Sequence, residues 1–307
     1  MSQPNLRVKL GKLELKNPLL LASGTVGYGN EISQFTDLSK IGAIITKSVS
    51  LKPRKGNPPQ RIVETASGML NAIGLANVGL EVFIKEKIPF LRDLKSTIIC
   101  NIAASNIEEY VECTKTLDYE EDIKGFEINV SCPNVKEGGL EFGNNPSAVG
   151  TITEKVRAVT DKPVIIKLSP NVSRISEFAE VARAEGADAV SVINTLVGTA
   201  FDIWSRKPKI ANIIGGLSGP AIKPVALAKV LEISRNVDIP IIGVGGIMDW
   251  KDAVEFMIAG ASAFQIGTVN FINPQAGIEI IEGLEKYCRQ NEINDLSKLT
   301  GSYELPK

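Results

Sequence analysis

The chain has 307 residues, 44% of them hydrophobic, with 34 Lys and Arg against 35 Asp and Glu. The net charge of −1 argues against a surface built to bind nucleic acid or another polyanion. No apolar run approaches the roughly 20 residues that span a bilayer, and the first residues form no hydrophobic signal region. We therefore expect a cytoplasmic protein with a large core that binds neither nucleic acid nor membrane.

The cysteine and histidine content limits the possible chemistry. The four cysteines, Cys100, Cys113, Cys132 and Cys288, are scattered without a C-x-x-C pair, so neither a zinc site nor an iron–sulfur cluster is indicated. The chain contains no histidine, which removes the most common general base and metal ligand. We expect no metal site, and proton transfer must use another type of side chain.

Eight short apolar segments recur along the chain and end in small or polar residues. Such segments are typical of parallel strands that are buried on both faces. An alternating segment around Gly11, residues 8–16, precedes them and predicts a hairpin that closes the bottom of the fold. The eight segments are residues 18–24, 41–48, 97–103, 126–130, 164–169, 189–195, 240–246 and 263–268.

Helical patterns lie between several of these segments. Apolar residues follow a period near 3.6 in residues 175–182 and 253–258, and Asp249 is the expected N-cap of the second helix. Alternating strands and helices predict an α/β fold, one (β/α)8 TIM barrel that forms a single domain over residues 1–307. The alternative is an open, doubly wound sheet, but Met248 occupies the third glycine position of the dinucleotide-binding fingerprint.

Three connections are longer than a simple crossover needs: residues 49–96, 131–146 and 196–220. Each follows a predicted strand, so in a barrel all three lie over the C-terminal rim, where the active sites of such barrels are found. They are rich in Gly, Pro and Asn, as loops usually are. We therefore predict that these insertions bind or cover a ligand.

The last two strands are followed by small residues. Gly245 and Gly246 end the seventh segment, and Gly267 and Thr268 end the eighth. The loops after strands seven and eight form the usual phosphate site of these barrels, and glycine lets backbone N–H groups approach the phosphate. We predict a phosphate site here; the alternative is that the glycines only form tight turns.

Lys47 and Lys167 each end an apolar segment, and Cys132 stands between the fourth segment and Pro133. A lysine inside an apolar barrel needs an anionic partner, which predicts ligand contact, although both lysines could instead extend to the rim. Cys132 is either a small buried hydrophobic residue or a thiol with a pKa tuned for proton transfer. Together these groups favour flavin mononucleotide (FMN) beside a small anionic substrate, with Cys132 transferring a proton.

Six short segments carry a resemblance to a known family. These segments, in this order along the chain, resemble the motifs of the class 1 dihydroorotate dehydrogenases. The resemblance extends over about residues 7–290. The segments are Thr-Lys-Ser at 46–48, Asn-Ala-Ile-Gly-Leu-Ala-Asn at 71–77, Asn-Val-Ser-Cys-Pro-Asn at 129–134, Lys-Leu-Ser-Pro-Asn at 167–171, Ile-Asn-Thr at 193–195 and Gly-Gly-Leu-Ser-Gly-Pro at 215–220.

The resemblance implies an enzyme that oxidises dihydroorotate to orotate in pyrimidine biosynthesis, with FMN bound to a (β/α)8 barrel. Cys132 matches the catalytic cysteine, which takes the C5 proton while FMN accepts hydride from C6. Segment 131–146 matches the loop that covers the site. Residues that match cofactor contacts are Ser23, Lys47, Ser48, Asn101, Asn129, Lys167, Ile193, Gly219, Gly245, Gly246, Gly267 and Thr268. Residues that match substrate contacts are Lys47, Asn71, Ala72, Ile73, Gly74, Leu75, Asn129, Asn134, Asn194 and Thr195.

The family has two soluble subclasses, and segments 64–74, 135–139 and 193–195 look more like the NAD-linked one. That subclass is implied to form a homodimer core joined by two electron-transfer subunits, a heterotetramer, with FAD and a 2Fe-2S cluster only on the partner. The fumarate-linked subclass is the first alternative. The others are an FMN barrel acting on RNA, which the net charge of −1 disfavours, and a non-redox barrel that binds a phosphorylated ligand.

Overall fold

The computed structural model describes residues 3–130, 136–137 and 140–305. Its strands form a closed barrel, two short hairpins and one four-stranded sheet. In chain order the strands are β1 (Val8–Leu10), β2 (Leu13–Leu15), β3 (Leu19–Leu21), β4 (Ala43–Ile45), β5 (Ile62–Thr65), β6 (Gly68–Asn71), β7 (Thr97–Ile102), β8 (Ile123–Asn129), β9 (Lys136–Glu137), β10 (Leu140–Glu141), β11 (Val164–Lys167), β12 (Ala189–Val192), β13 (Leu196–Thr199), β14 (Ile214–Ser218), β15 (Ile241–Val244) and β16 (Ala263–Ile266).

The barrel contains the eight predicted strands in chain order, β3-β4-β7-β8-β11-β12-β15-β16, and all neighbours pair in parallel. Pairing of Phe264 with Leu19 closes the last strand onto the first. The strands are short and almost entirely buried because helices cover the outside and side chains fill the inside. The predicted (β/α)8 barrel is confirmed, and the open sheet is excluded.

Helices follow seven of the eight barrel strands, whereas two 3-10 turns, Ile32–Gln34 and Leu38–Lys40, connect β3 to β4. The predicted helices at 175–182 and 253–258 are confirmed, and Asp249 accepts hydrogen bonds from the N–H groups of Lys251 and Asp252. No helix of the described ranges is long and apolar enough to cross a membrane. The helices are α1 (Leu80–Val82) and α2 (Ile88–Asp93), which a π-helical turn (Phe83–Lys87) joins, α3 (Ile107–Asp118), α4 (Pro146–Arg157), α5 (Ile175–Ala184), α6 (Lys223–Asn236), α7 (Trp250–Ile258) and α8 (Ala276–Gln290).

The N-terminal hairpin β1–β2 closes the bottom of the barrel, as predicted. Its apolar side chains, among them Leu10 and Leu15, join a cluster with inward-facing barrel residues such as Ile45 and Ile165. The opposite faces of the two strands, which include Lys9, are exposed. This apolar plug leaves the other end of the barrel as the open mouth.

The long connections 49–96 and 196–220 meet over the C-terminal rim, where they form one antiparallel sheet in the order β13-β14-β6-β5. Pairing of Gly216 with Asn71 joins the two insertions although they are far apart in the chain. The sheet forms one wall above the barrel mouth. The predicted positions of insertions 49–96 and 196–220 over the rim are therefore confirmed, and the sheet fixes them relative to the barrel. Residues 131–135 and 138–139 of the third insertion, 131–146, lie outside the described residues.

Candidate active site

A cavity of about 790 Å³ lies between the carboxyl ends of the barrel strands and the four-stranded sheet. Every predicted contact residue that the structure describes lines it, while Cys132 and Asn134 lie outside the described residues. The structure thus brings the predicted residues together, and their individual roles stay predictions. Those predicted for the cofactor are Ser23, Lys47, Ser48, Asn101, Asn129, Lys167, Ile193, Gly219, Gly245, Gly246, Gly267 and Thr268; those for the substrate are Lys47, Asn71, Ala72, Ile73, Gly74, Leu75, Asn129, Asn194 and Thr195.

The predicted phosphate side of the cavity is built from close backbone contacts. Gly246 has a φ of +77°, and a Cβ there would lie 2.8 Å from the carbonyl oxygen of Gly219 and 2.8 Å from Cβ of Lys223. A 3-10 turn and then helix α6 begin directly after Gly219. The N–H groups of Ala221 and Ile222 in that turn already donate to the carbonyl oxygens of Ser67 and Gly219. The candidate backbone donors to a phosphate are therefore those of the cavity-lining loops after β15 and β16. This close packing requires glycine at position 246, and it brings the backbone of the loop to the edge of the cavity, where an anion can approach its N–H groups.

Alternation along the barrel strands places polar side chains inside the barrel, at the floor of the cavity. Four inward-facing apolar residues, Ile99, Ile165, Ala189 and Ala263, belong to the cluster that packs on the hairpin. Side chains two residues further along a strand share its face, so the next interior layer is polar. Its members on these strands, exposed by 6% at most, are Asn101, Lys167, Ser191 and Gln265.

Glu127 on β8 links these four side chains and is itself fully buried. Its Oε1 atom accepts hydrogen bonds from Asn101 Nδ2 at 2.7 Å and from Lys167 Nζ at 3.4 Å. Its Oε2 atom accepts from Ser191 Oγ at 2.6 Å and from Gln265 Nε2 at 2.7 Å. The anionic partner that Lys167 requires is therefore supplied by the protein itself, besides any ligand that the cavity holds.

No role for Glu127 is predicted from the sequence. A signal for it exists in segment 126–130, where Glu127 alternates with the apolar residues Phe126 and Ile128. Those two side chains pack against the outer helices in the larger core cluster, so Glu127 must face the barrel interior. A charged residue in a strand buried on both faces points to a partner inside the barrel.

Lys47 follows β4, lines the cavity and is half-buried. Burial lowers the pKa of its ammonium group from the ordinary value of 10.5, and the nearby charge of Arg61 lowers it further. An anion bound in the cavity would counter both effects, because an opposite charge favours the protonated form of a lysine. Lys47 is thus suited to contact an anionic ligand.

The segment predicted to contact substrate, residues 71–75, is held by side-chain hydrogen bonds at its first two residues. Asn71 Nδ2 donates to the carbonyl oxygen of Gly216 at 3.2 Å. Asn57 Nδ2 donates to the carbonyl oxygen of Ala72 at 3.0 Å. Leu75 has a φ of +57°, a conformation that non-glycine residues seldom adopt. These contacts shape the segment around the cavity before a ligand binds.

A second set of amides lies at the ends of β8 and β12. Asn194 Nδ2 donates to Asn129 Oδ1 at 3.3 Å, and Asn171 Nδ2 donates to the carbonyl oxygen of Thr195 at 3.2 Å. Amide and carbonyl groups of this kind can recognise a ligand that carries both donors and acceptors. Lining residues that the sequence analysis did not assign to the site include Asn57, Asn171, Leu196, Asn212, Gly215, Gly216, Met248 and Phe271.

The three described cysteines are poorly suited to catalysis. Cys100, Cys113 and Cys288 are buried. Burial raises the pKa of each thiol, to about 12 for Cys113. A thiolate, which is the reactive form, is therefore suppressed at all three positions near neutral pH. The described residues also contain no cluster of three or more Cys, Asp or Glu side chains that could hold a metal ion.

Comparison with known proteins places the chain in a family. A family model described as dihydroorotate dehydrogenase matches residues 5–288. A relative from Geotalea daltonii is 52% identical over 305 residues, which cover 99% of this chain and 100% of the relative. Relatives from Trichlorobacter lovleyi and a Thermoanaerobacter species are each 52% identical over 98% of this chain and 99% of their own lengths. All three are named dihydroorotate dehydrogenase B (NAD(+)), catalytic subunit. This chain belongs to the dihydroorotate dehydrogenase family.

Proposed function

We propose that the chain oxidises (S)-dihydroorotate to orotate in pyrimidine biosynthesis, in the cytoplasm, and that its electrons pass to NAD+ through a partner subunit. One observation carries the proposal: all the described residues that match the family's cofactor and substrate contacts line the same cavity. The relatives' names support the NAD-linked subclass over the fumarate-linked one. The family match and the relatives' names do not favour the RNA-modifying or non-redox alternatives.

The residues around the cavity fit FMN as the cofactor. The loops after β15 and β16, with Gly246 and Thr268 lining the cavity, offer backbone N–H groups to a phosphate. Lys167 places a cation beneath the cavity, which would stabilise an anionic reduced ring. Among the described residues, Oδ1 of buried Asn101 lacks a hydrogen-bond partner, so it can accept one from a ring N–H. Bound FMN would supply the acceptor for the hydride that leaves C6 of the substrate.

The remaining chemistry belongs to the side chains. Lys47 binds the substrate carboxylate by its charge, and the segment 71–75 with Asn129, Asn194 and Thr195 holds the ring through amide and hydroxyl groups. Cys132 takes the C5 proton as a thiolate; this role rests on its match to the catalytic cysteine of the family. The thiolate becomes a neutral thiol as the ring gains its C5–C6 double bond. The cavity would orient the C5 and C6 hydrogens towards base and cofactor.

We further propose that the chain forms a homodimer core to which two electron-transfer subunits bind. The relatives are named catalytic subunits, which implies a second kind of subunit. FAD and a 2Fe-2S cluster are proposed for that partner, as the resemblance to the NAD-linked subclass implies. Gel filtration with light scattering, on the chain alone and with the partner subunit, tests this assembly.

The test of the proposed reaction is anaerobic. The purified chain should carry FMN, and its flavin absorbance should bleach when dihydroorotate is added. Cys132→Ser should retain FMN but bleach far more slowly near neutral pH, because a serine hydroxyl is a much weaker acid than a thiol. Cys113→Ser, at a buried thiol outside the cavity, is the matched control and should bleach like the wild type. Undiminished bleaching of Cys132→Ser would remove this cysteine from the mechanism.

A further inference from the structure

We propose that Glu127 is a positioning residue of the flavin site: its carboxylate holds Lys167 and Asn101 in place and, by compensating the charge of Lys167, sets the reduction potential of the bound flavin. This inference rests on the proposed binding of FMN. It concerns a residue that does not line the cavity and acts only through the side chains above it.

Lys167 and Glu127 form an ion pair that is buried on both sides. Nζ of Lys167 lies 3.4 Å from Oε1 of Glu127, and the two side chains are 8% and 0% exposed. Every other ion pair between described residues has a more exposed member; the nearest in burial joins Arg157 and Asp188, at 20% and 11%. Because solvent screens the Lys167–Glu127 pair so little, each charge acts strongly on groups nearby. A flavin above Lys167 would therefore feel the ammonium and the carboxylate together.

The hydrogen bonds give Glu127 a second effect. A carboxylate only accepts hydrogen bonds, so Asn101 must present its Nδ2 atom to Oε1. The orientation of the Asn101 amide is thereby fixed, and its Oδ1 atom remains as an acceptor; it has no partner among the described residues. Ser191 and Gln265 hold Oε2 from the opposite side and stop the carboxylate from rotating.

Substitution by glutamine separates charge from size. Glu127→Gln keeps the shape of the side chain but removes the negative charge, so the charge of Lys167 is no longer compensated. An uncompensated cation stabilises the anionic reduced flavin more than the neutral oxidised flavin. The reduction potential of the bound flavin should therefore become more positive. Lys167→Met should shift the potential in the opposite direction.

The experiment measures the two-electron reduction potential of the flavin in the purified holoprotein at about pH 7. A chemical reductant and a reference dye are used, so no step needs dihydroorotate. The variants are Glu127→Gln, Glu127→Asp, which retains the charge, and Ser191→Ala, which removes one hydrogen bond to the same carboxylate without changing charge. If the role of Glu127 were purely structural, Glu127→Gln and Ser191→Ala would shift the reduction potential equally.

A more positive potential in Glu127→Gln, with values near the wild type in Glu127→Asp and Ser191→Ala, supports the proposal. An unchanged or more negative potential in Glu127→Gln, or an equal shift in Ser191→Ala, overturns it. If Glu127→Gln does not retain flavin, the effect of Glu127→Gln is measured in the Lys167→Met background. The double variant Glu127→Gln/Lys167→Met should then have a more positive potential than Lys167→Met alone, and equal potentials overturn the proposal.

These outcomes are distinct from failure of the proposed function. A wild-type chain that binds no FMN, or whose FMN never bleaches with dihydroorotate, contradicts the proposed function. If the wild type binds FMN that dihydroorotate bleaches, but Glu127→Gln leaves the reduction potential unchanged, only the role proposed for Glu127 is contradicted.

Discussion

Lys167 Nζ and Glu127 Oε1 lie 3.4 Å apart inside the barrel, directly below the mouth. The two residues stand on the adjacent parallel strands β11 and β8, where Lys167 pairs with Asn129 and Glu127 pairs with Ile165. The register of the barrel thus places a cation and its partner in the layer under the cavity. Glu127 therefore holds Lys167 in position before a ligand binds, and the site is organised in advance.

The glycine at the proposed phosphate site gives a first prediction. Gly246→Ala should weaken FMN binding by roughly tenfold or more, because a Cβ would displace the backbone at Gly219 and Lys223 and each displaced hydrogen bond to the phosphate is worth about 1.5–3 kcal/mol. FMN dissociation constants from fluorescence titration check this. The control is Gly301→Ala, which has a similar φ of +70° but nothing within 4 Å of the added Cβ. Equal FMN affinities in the two variants would contradict a phosphate at Gly246.

Lys47 gives a prediction on pH. Burial, and then the charge of Arg61, lower its pKa below 10.5, so its positive charge disappears as the pH rises through that lowered value. The KM for dihydroorotate should therefore increase with pH in the alkaline range. Lys47→Arg should abolish this increase because a guanidinium remains charged. Lys47→Gln should raise KM by about tenfold or more already near neutral pH.

The same shift affects stability, and its sign follows from proton uptake. Between the lowered pKa and 10.5 the unfolded chain binds more protons at this site than the folded apoprotein does. The contribution of Lys47 to the free energy of unfolding should therefore rise with pH across that interval. Below the lowered pKa the group imposes its full cost on the apoprotein. Thermal unfolding of apo wild type and apo Lys47→Gln across this range measures the difference; a constant difference would be inconsistent with the shift.

Thiol reactivity should single out one cysteine. The raised pKa values of Cys100, Cys113 and Cys288 suppress their thiolates near neutral pH, and all three are buried. Iodoacetamide should therefore modify the native protein once, at Cys132, and block bleaching by dihydroorotate. Peptide mass spectrometry locates the adduct, and Cys132→Ser should remain unmodified. Rapid modification of any of the other three cysteines in the native protein would count against this assignment.

The hairpin at the barrel bottom should contribute to stability without affecting the chemistry. Leu10 is fully buried in the inner cluster, and Leu10→Ala should cost about 2–5 kcal/mol and lower the midpoint of thermal unfolding by several degrees. The flavin potential of the folded protein should not change, since the polar layer separates this residue from the cavity. The control on the same strand, exposed Lys9→Ala, should shift the midpoint by less than about 1 °C.

The barrel and its mouth could be predicted because local sequence patterns indicate both. Strands buried on both faces, such as residues 164–169, are short apolar runs, and the polar residue that ends each run marks the rim. Residues Lys47, Asn101 and Gly246 were assigned to the mouth on this basis together with the family resemblance, and all of them line the cavity.

Long-range contacts could not be predicted in the same way. The pairing of β14 with β6 joins residues near 216 to residues near 71, and no local pattern specifies such a partner. The partner of Lys167 was missed for the same reason: Glu127 lies 40 positions away in the chain, and only the closed barrel makes the two neighbours. Sequence alone identified a cation that needed an anion, and the register of the strands identified the anion.

The most direct test of the proposed function is anaerobic reoxidation of the flavin in the chain purified alone. Dihydroorotate should bleach the bound FMN, and neither fumarate nor NAD+ should restore its absorbance efficiently until the electron-transfer subunit is added, after which NAD+ should do so. Restoration by fumarate without a partner would contradict the NAD-linked assignment. A flavin that dihydroorotate never bleaches would contradict the dihydroorotate reaction itself.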